Sequence, residues 1–289
     1  MSNEQMNIQW YPGHMTKTRR QMEADLKQVD AVCEIVDARI PISSRNPDID
    51  SICGTKPRIM ILNRMDLADP EATSAWANFY RSRGFAAVAT DCKSRKGISS
   101  FTPAVRQVLK EKLERDAARG MNRPLKVMVV GIPNVGKSTL INQISGRKGA
   151  KAENRPGVTR GKQWVTVDHG LLLLDTPGIL WPKFEDPDVG MKLAYTGAVK
   201  DGILDVEELA SYLMQLLWKR YPQAVTGRYG IEAEQDTPGY ELLQLAGKKR
   251  GFLLARGEIH TERMAKVLLD EYRSGKLGRF TLELPEDLK

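Results

Sequence analysis

The stretch ILNRMDLAD, residues 61–69, decides how the rest of the chain is read. An apolar strand ending in Asn63, Arg64, Met65 and Asp66 has the pattern of a loop that reads guanine. An aspartate carboxylate accepts two hydrogen bonds, from the base N1–H and from its exocyclic amine, a pair that adenine cannot donate. An asparagine amide braces the loop and the base edge. Yet the phosphate-binding pattern, GIPNVGKST at 131–139, comes far downstream. Domains that use both loops normally run the other way. Either the early match is chance, or the domain has been opened and its old ends joined.

The phosphate pattern fits G-x-x-x-x-G-K-[ST], follows the strand-like KVMVVG (126–131) and precedes the helical run LINQI. That context makes the motif specific. Its backbone from Pro133 through Asn134, Val135 and Gly136 to Thr139 can turn N–H groups toward phosphate oxygens. Lys137 supplies a point charge to the β and γ phosphates, and the Ser138 hydroxyl can ligate magnesium. DTPG at 175–178 ends another apolar run, LLLLD, so Asp175 can hold the magnesium shell and the Gly178 N–H can sense the γ-phosphate. Between the two lies PGVTR, whose Thr159 is the candidate hydroxyl that closes over magnesium. Past the guanine-like loop, the turn ATDCKSRKG (89–97) adds Asp91 and the Cys92 N–H as candidate contacts to the base. Arg64 stands where a lysine is usual; its stem and planar head can still cover the base face.

With these motifs accepted, they read fourth, fifth, first, second, third. A parallel sheet tolerates such reordering, because domain termini usually lie close together and rejoining them preserves the strands. AVCEIVDA (31–38), RIMILN (58–63), KVMVVG and LLLLD alternate with helical stretches, the mark of an α/β fold with buried parallel strands. After residue 204 the pattern becomes all-helical: Met264, Val267, Leu268 and Tyr272 share one face. The expected division is a nucleotide domain over 1–204 and a small helical domain over 205–289. The charged run at 104–119 is expected to be a connecting helix, leading into a linker, MNRPL.

Composition narrows the partners. Net charge is +8, and residues 1–204 hold 31 basic against 22 acidic side chains, whereas 205–289 hold 13 and 14. Residues 147–162 carry six basic groups and one acid, a density suited to a polyanion such as RNA, with solubility alone as the plainer reading. Three cysteines without metal-ligand spacing point to free thiols in a reducing compartment. The chain has no apolar segment of about 18 residues and starts without a signal pattern, so a cytoplasmic protein free of membranes, and a monomer, is expected.

WYPGHM near the start, VDARIP (36–41), NRMD, GIPNVGKST, PGVTR and DTPG, in this permuted order, resemble the circularly permuted GTPases, and specifically the ribosome biogenesis GTPase A family, also called YlqF. The resemblance covers nearly the whole chain. It implies a circularly permuted P-loop GTPase domain with a three-layer, mostly parallel sheet, followed by a small all-α domain that binds RNA. It implies GTP hydrolysis during assembly of the large (50S) ribosomal subunit, with that subunit and its rRNA as partners and GTP or GDP, Mg2+ and K+ as cofactors. Where Ras-like enzymes place a water-orienting glutamine after this motif, Ile179 stands here; the resemblance assigns that task to His14, which could instead be structural or contact RNA. It also implies that Asn134 helps to hold potassium beside the phosphates; the plainer alternative is that the residue only shapes the turn. A non-catalytic, GTP-sensing RNA-binding module is the competing reading that Ile179 suggests. A mitochondrial counterpart is disfavoured by the lack of an Arg-rich presequence.

Overall fold

The structure, a computed structural model, describes residues 15–146, 163–167, 170–176, 186–199 and 205–288. Among the described residues, six strands form one sheet: β1 (Ala31–Asp37), β2 (Arg58–Asn63), β3 (Ala86–Thr90), β4 (Leu125–Val130), β5 (Gln163–Val167) and β6 (Leu171–Asp175). Their spatial order is β3-β2-β1-β4-β6-β5, with every pairing parallel except that of β5 with β6. Every residue of β1 and β2 is buried. That is why both strands read as near-continuous apolar runs rather than alternating ones.

Helices cover both faces. α1 (Met15–Leu26) and α2 (Ile49–Cys53) pack Met22, Leu26, Ile49 and Cys53 on Val32, Met128, Val130 and Leu174. Beside them, α3 (Pro70–Ser82) packs Trp76, Ala77 and Tyr80 on Val36, Met60 and Leu62. α3 starts where the sequence dictates: Asp69 accepts the Glu71 and Ala72 N–H groups at 2.8 and 3.3 Å, and Pro70 occupies the first turn, where its missing N–H costs nothing. Strand alternation turns Cys33, Ile35, Ile59, Ile61 and Val129 the other way. There α4 (Phe101–Val108) and α6 (Lys137–Ser145) supply the covering layer. The single connecting helix expected over 104–119 is two: the backbone breaks at Leu109, and α5 (Lys110–Ala118) buries no residue.

Among the described residues, 186–199 and 205–282 form a second compact unit, while 283–288 group with the sheet. α7 (Pro187–Tyr195), which precedes residue 205, therefore groups with the later helices α8 (Val206–Arg220), α9 (Pro222–Tyr229), α10 (Gly239–Lys249) and α11 (Thr261–Ser274). Their core joins Leu213 and Leu217 to Leu242 and Ala246 and to Met264, Leu268 and Tyr272, all at most 1% exposed; Val267 is half-buried at its edge. Glu271 gathers Arg228, Tyr229 and Arg250 around its carboxylate. Among the described residues, no helix is long and apolar enough to cross a membrane.

Candidate functional site

Two of the permuted motifs, NRMD and GIPNVGKST, meet in space. Asn63 ends β2 and the phosphate loop follows β4, so both emerge at the carboxyl edge of the parallel strands, where open α/β sheets bind ligands. One side chain joins them. Asn63 Nδ2 donates to the Val135 carbonyl at 2.7 Å, while its Oδ1 accepts the Thr90 hydroxyl and the Cys92 N–H, each at 3.2 Å. The contact is close enough that a β-carbon added at Gly136 (φ +109°) would stand 2.4 Å from Asn63 Nδ2. Glycine is required there by both the backbone angle and the approach.

Arg64 adds a second tie, its Nη2 donating to the Asn134 carbonyl at 2.8 Å. Asp66 is exposed at the same loop, free of burial cost and open to a base. The Cys92 N–H, expected to face the guanine oxygen, is engaged here by Asn63 Oδ1. Asp91 folds its own turn, accepting the Lys93 and Ser94 N–H groups at 2.9 and 3.2 Å. Burial raises its carboxyl, and the Ser94 hydroxyl together with those N–H groups more than reverses the effect, leaving it below the usual carboxylate range. Thr90, fully buried, was not singled out from sequence. Its signal lay in the parallel register that sets it beside Asn63, which only the paired strands reveal.

At the phosphate end, Lys137 is 7% exposed and donates to the Gly131 and Ile132 carbonyls at 2.9 and 3.0 Å. Burial lowers its pKa to about 8, against the opposing pull of Asp175. Burial likewise raises the Asp175 carboxyl, with the Lys137 charge opposing. Asp175 Oδ1 is buried with no hydrogen-bond partner among the described residues. Burial thus works against the charged form of both groups by more than their mutual attraction offsets. An orphaned hard oxygen beside a lysine at a helix start fits a divalent cation and phosphate oxygens. Ser138 and Thr139 are half-buried at the same helix start, with Pro133, Asn134 and Val135 preceding them. Asn134 has φ +61°, a left-handed conformation that asparagine tolerates, and its amide oxygen is a hard donor suited to a monovalent cation. His14, Thr159, Gly178, Ile179 and the basic stretch 147–162 lie outside the described residues.

A family model described as a 50S ribosome-binding GTPase matches residues 126–221, the part that begins with β4 and its phosphate loop. Ribosome biogenesis GTPase A of Priestia megaterium is 47% identical over 285 residues, covering 98% of each chain. Among solved structures, GDP-bound TM YlqF matches with a TM-score of 0.62 at 28% identity, covering 93% of this chain and all of that one. GNP-bound YlqF from T. maritima matches with a TM-score of 0.59 at 29% identity, over 93% and 99% of the two chains. With a relative this similar along nearly its whole length, and with the permuted order of its loops, the chain belongs to the ribosome biogenesis GTPase A family.

Proposed function

We propose that this protein hydrolyses GTP as an assembly factor of the large ribosomal subunit, docking on rRNA in the GTP state and leaving after hydrolysis. The observation that carries the reading is the Asn63 junction: a guanine-type loop bonded directly to a phosphate loop that follows it in sequence. In this reading Asp66 accepts from guanine and the Lys137 ammonium meets the β and γ phosphates. Asn63 and Arg64 hold the two loops in register, and Asp91 shapes the turn beside the base. Ser138, Asp175 and Thr159 would hold magnesium, which supplies charge neutralisation at the phosphates. Asn134 would help to hold potassium. His14 would orient the attacking water where Ile179 cannot. The basic stretch 147–162, which contains Thr159, and the helical domain assigned to 205–289 are the proposed rRNA-binding parts of a cytoplasmic monomer.

The test is GTP turnover by the purified chain with and without large-subunit precursor particles. Particles should raise the rate, and His14→Ala should slow single-turnover hydrolysis on the particle by about tenfold or more while GTP affinity stays within about twofold. Absence of turnover in both conditions would favour the non-catalytic GTP-sensing module. An unchanged His14→Ala rate would remove His14 from the mechanism.

A further inference from the structure

The VDARIP stretch, 36–41, contains a buried ion pair that takes no direct part in holding phosphate or base. Asp37 ends β1 in register with Asn63, and β1 lies between β2 and β4. Its carboxylate therefore sits between the base loop and the phosphate loop. Asp37 is 4% exposed and Arg39 is fully buried. The Arg39 backbone N–H and Nε donate to Asp37 Oδ1 at 3.0 and 2.9 Å, and Nη2 donates to Oδ2 at 2.7 Å. A planar fork fixes both oxygens of the carboxylate as a single ammonium could not. Burial raises this carboxyl, and the Arg39 guanidinium more than reverses the effect, holding it below the usual carboxylate range and hence ionised.

The turn that carries the pair is itself pinned. Ser44 Oγ accepts the Asp37 N–H at 2.9 Å and donates to the Ile40 carbonyl at 2.7 Å. The Glu283 carboxylate accepts the Ile42 and Ser43 N–H groups at 2.7 and 3.0 Å. From this fixed base Asp37 Oδ2 reaches Arg64 Nε at 3.6 Å, and the far end of the same guanidinium donates to the Asn134 carbonyl. Arg64 and Asn134 both have left-handed backbones, with φ of 62° and 61°. For an arginine that conformation is unfavourable and persists only where the surroundings over-determine it. Asn134 tolerates the same conformation, so the strain falls on Arg64, and it marks the arginine's place in this contact as held rather than incidental.

We infer that Asp37 and Arg39 are positioning residues for guanine-nucleotide binding: Arg39 locks Asp37, Asp37 aims Arg64, and Arg64 ties the base loop to the phosphate loop at Asn134. The inference rests on reading Asn63, Arg64 and Asp66 as the base-recognition loop. Its physical content is preorganisation. A half-buried arginine with many rotamers is ordered before the base arrives, so binding does not bear that cost.

The experiment is a titration of a fluorescent GDP on the full chain, with thermal melting recorded for every variant. Arg64→Ala should weaken GDP by about tenfold, and the near-isosteric Asp37→Asn should weaken it comparably. The double variant should bind no worse than Arg64→Ala alone, because Asp37 acts through Arg64. Losses that multiply in the double variant would overturn the inference, as would a folded Asp37→Asn with unchanged affinity. Should Asp37→Asn fail to fold, Arg64→Lys decides. Its single ammonium cannot span Asp37 and Asn134 as the fork does, so it should bind more weakly than the wild type; equal affinity would overturn the proposal. Asp66→Asn separates this failure from that of the underlying reading. If it abolishes the preference for GDP over ADP while the Arg64 variants bind normally, only the positioning role falls. If it leaves that preference intact, the base-loop reading falls.

Discussion

Asn63 at the base end of the site and Asp175 at the phosphate end are equally buried, at 3% exposed, yet they are treated in opposite ways. Both polar atoms of the Asn63 amide are engaged by the protein, through Val135, Thr90 and Cys92. Asp175 keeps an oxygen without a hydrogen-bond partner among the described residues, and its neighbour Lys137 spends its donors on the carbonyls of its own loop. A buried polar group left unsatisfied costs about 1–3 kcal/mol, and more when it is charged. The base end is therefore part of what holds the fold together, whereas the phosphate end holds charges at the expense of the fold. Substitutions at the two ends should fail in different assays.

The largest effect should come from Lys137→Ala. Losing the ammonium leaves triphosphate oxygens without their buried positive partner, a change that costs several kcal/mol, so affinity should fall by at least about a hundredfold. The thermal midpoint of the nucleotide-free protein should not fall, because burial of this lysine already opposes its charged form. Calorimetric titration beside thermal melting checks both halves. A variant that melts well below the wild type would break the contrast between the two ends.

Asn63→Ala should show the reverse balance. Truncation strips the partner from the Cys92 N–H, the Thr90 hydroxyl and the Val135 carbonyl at once. The expected cost is about 2–3 kcal/mol of stability without any nucleotide present. Chemical denaturation of the nucleotide-free chain reads it directly. An unchanged midpoint would show that water satisfies these groups equally well and that the base end is no more structural than the phosphate end.

How much of this was legible beforehand follows from the range of the interactions. Motifs that work through their own backbone, such as GIPNVGKST, announce themselves in consecutive residues, and the buried parallel strands announce themselves as runs of Val, Ile and Leu. Asn63 and Arg64 were also readable, as members of a loop. Their partners were not: Thr90 meets Asn63 only through strand register, and Asn63 meets Val135 across 72 positions of sequence. The Cys92 N–H is a candidate guanine contact in the sequence, and the structure adds that Asn63 Oδ1 lies within its reach, because a sequence shows that a donor exists but not which acceptors surround it. The grouping of α7 with the later helices was likewise invisible, since a helical pattern does not say which core its apolar face will join.

The smallest effect is the most specific to the phosphate end, and it turns on pH. Lys137 titrates near 8 in the ligand-free fold, whereas in the unfolded chain it titrates near its ordinary 10.5. Between those values the unfolded chain binds more protons, so this lysine makes stability rise with pH; its cost is present in full below about 8 and gone above the unfolded value. Nucleotide binding has the opposite sign. Phosphate oxygens restore the ammonium, so the complex takes up a proton, and affinity should be level below pH 8 and then fall by up to about tenfold per pH unit above it. Cys92, pushed up to about 11 by burial, stays neutral in this window. The guanine N1–H does begin to ionise at the upper end of the range, and Lys137→Arg controls for that, because a guanidinium keeps its charge throughout. The readout is the difference in slope between wild type and Lys137→Arg for a non-hydrolysable GTP analogue titrated from pH 7 to 9.5. Parallel slopes would mean that Lys137 is already charged in the ligand-free protein, and the phosphate end would then be as preorganised as the base end.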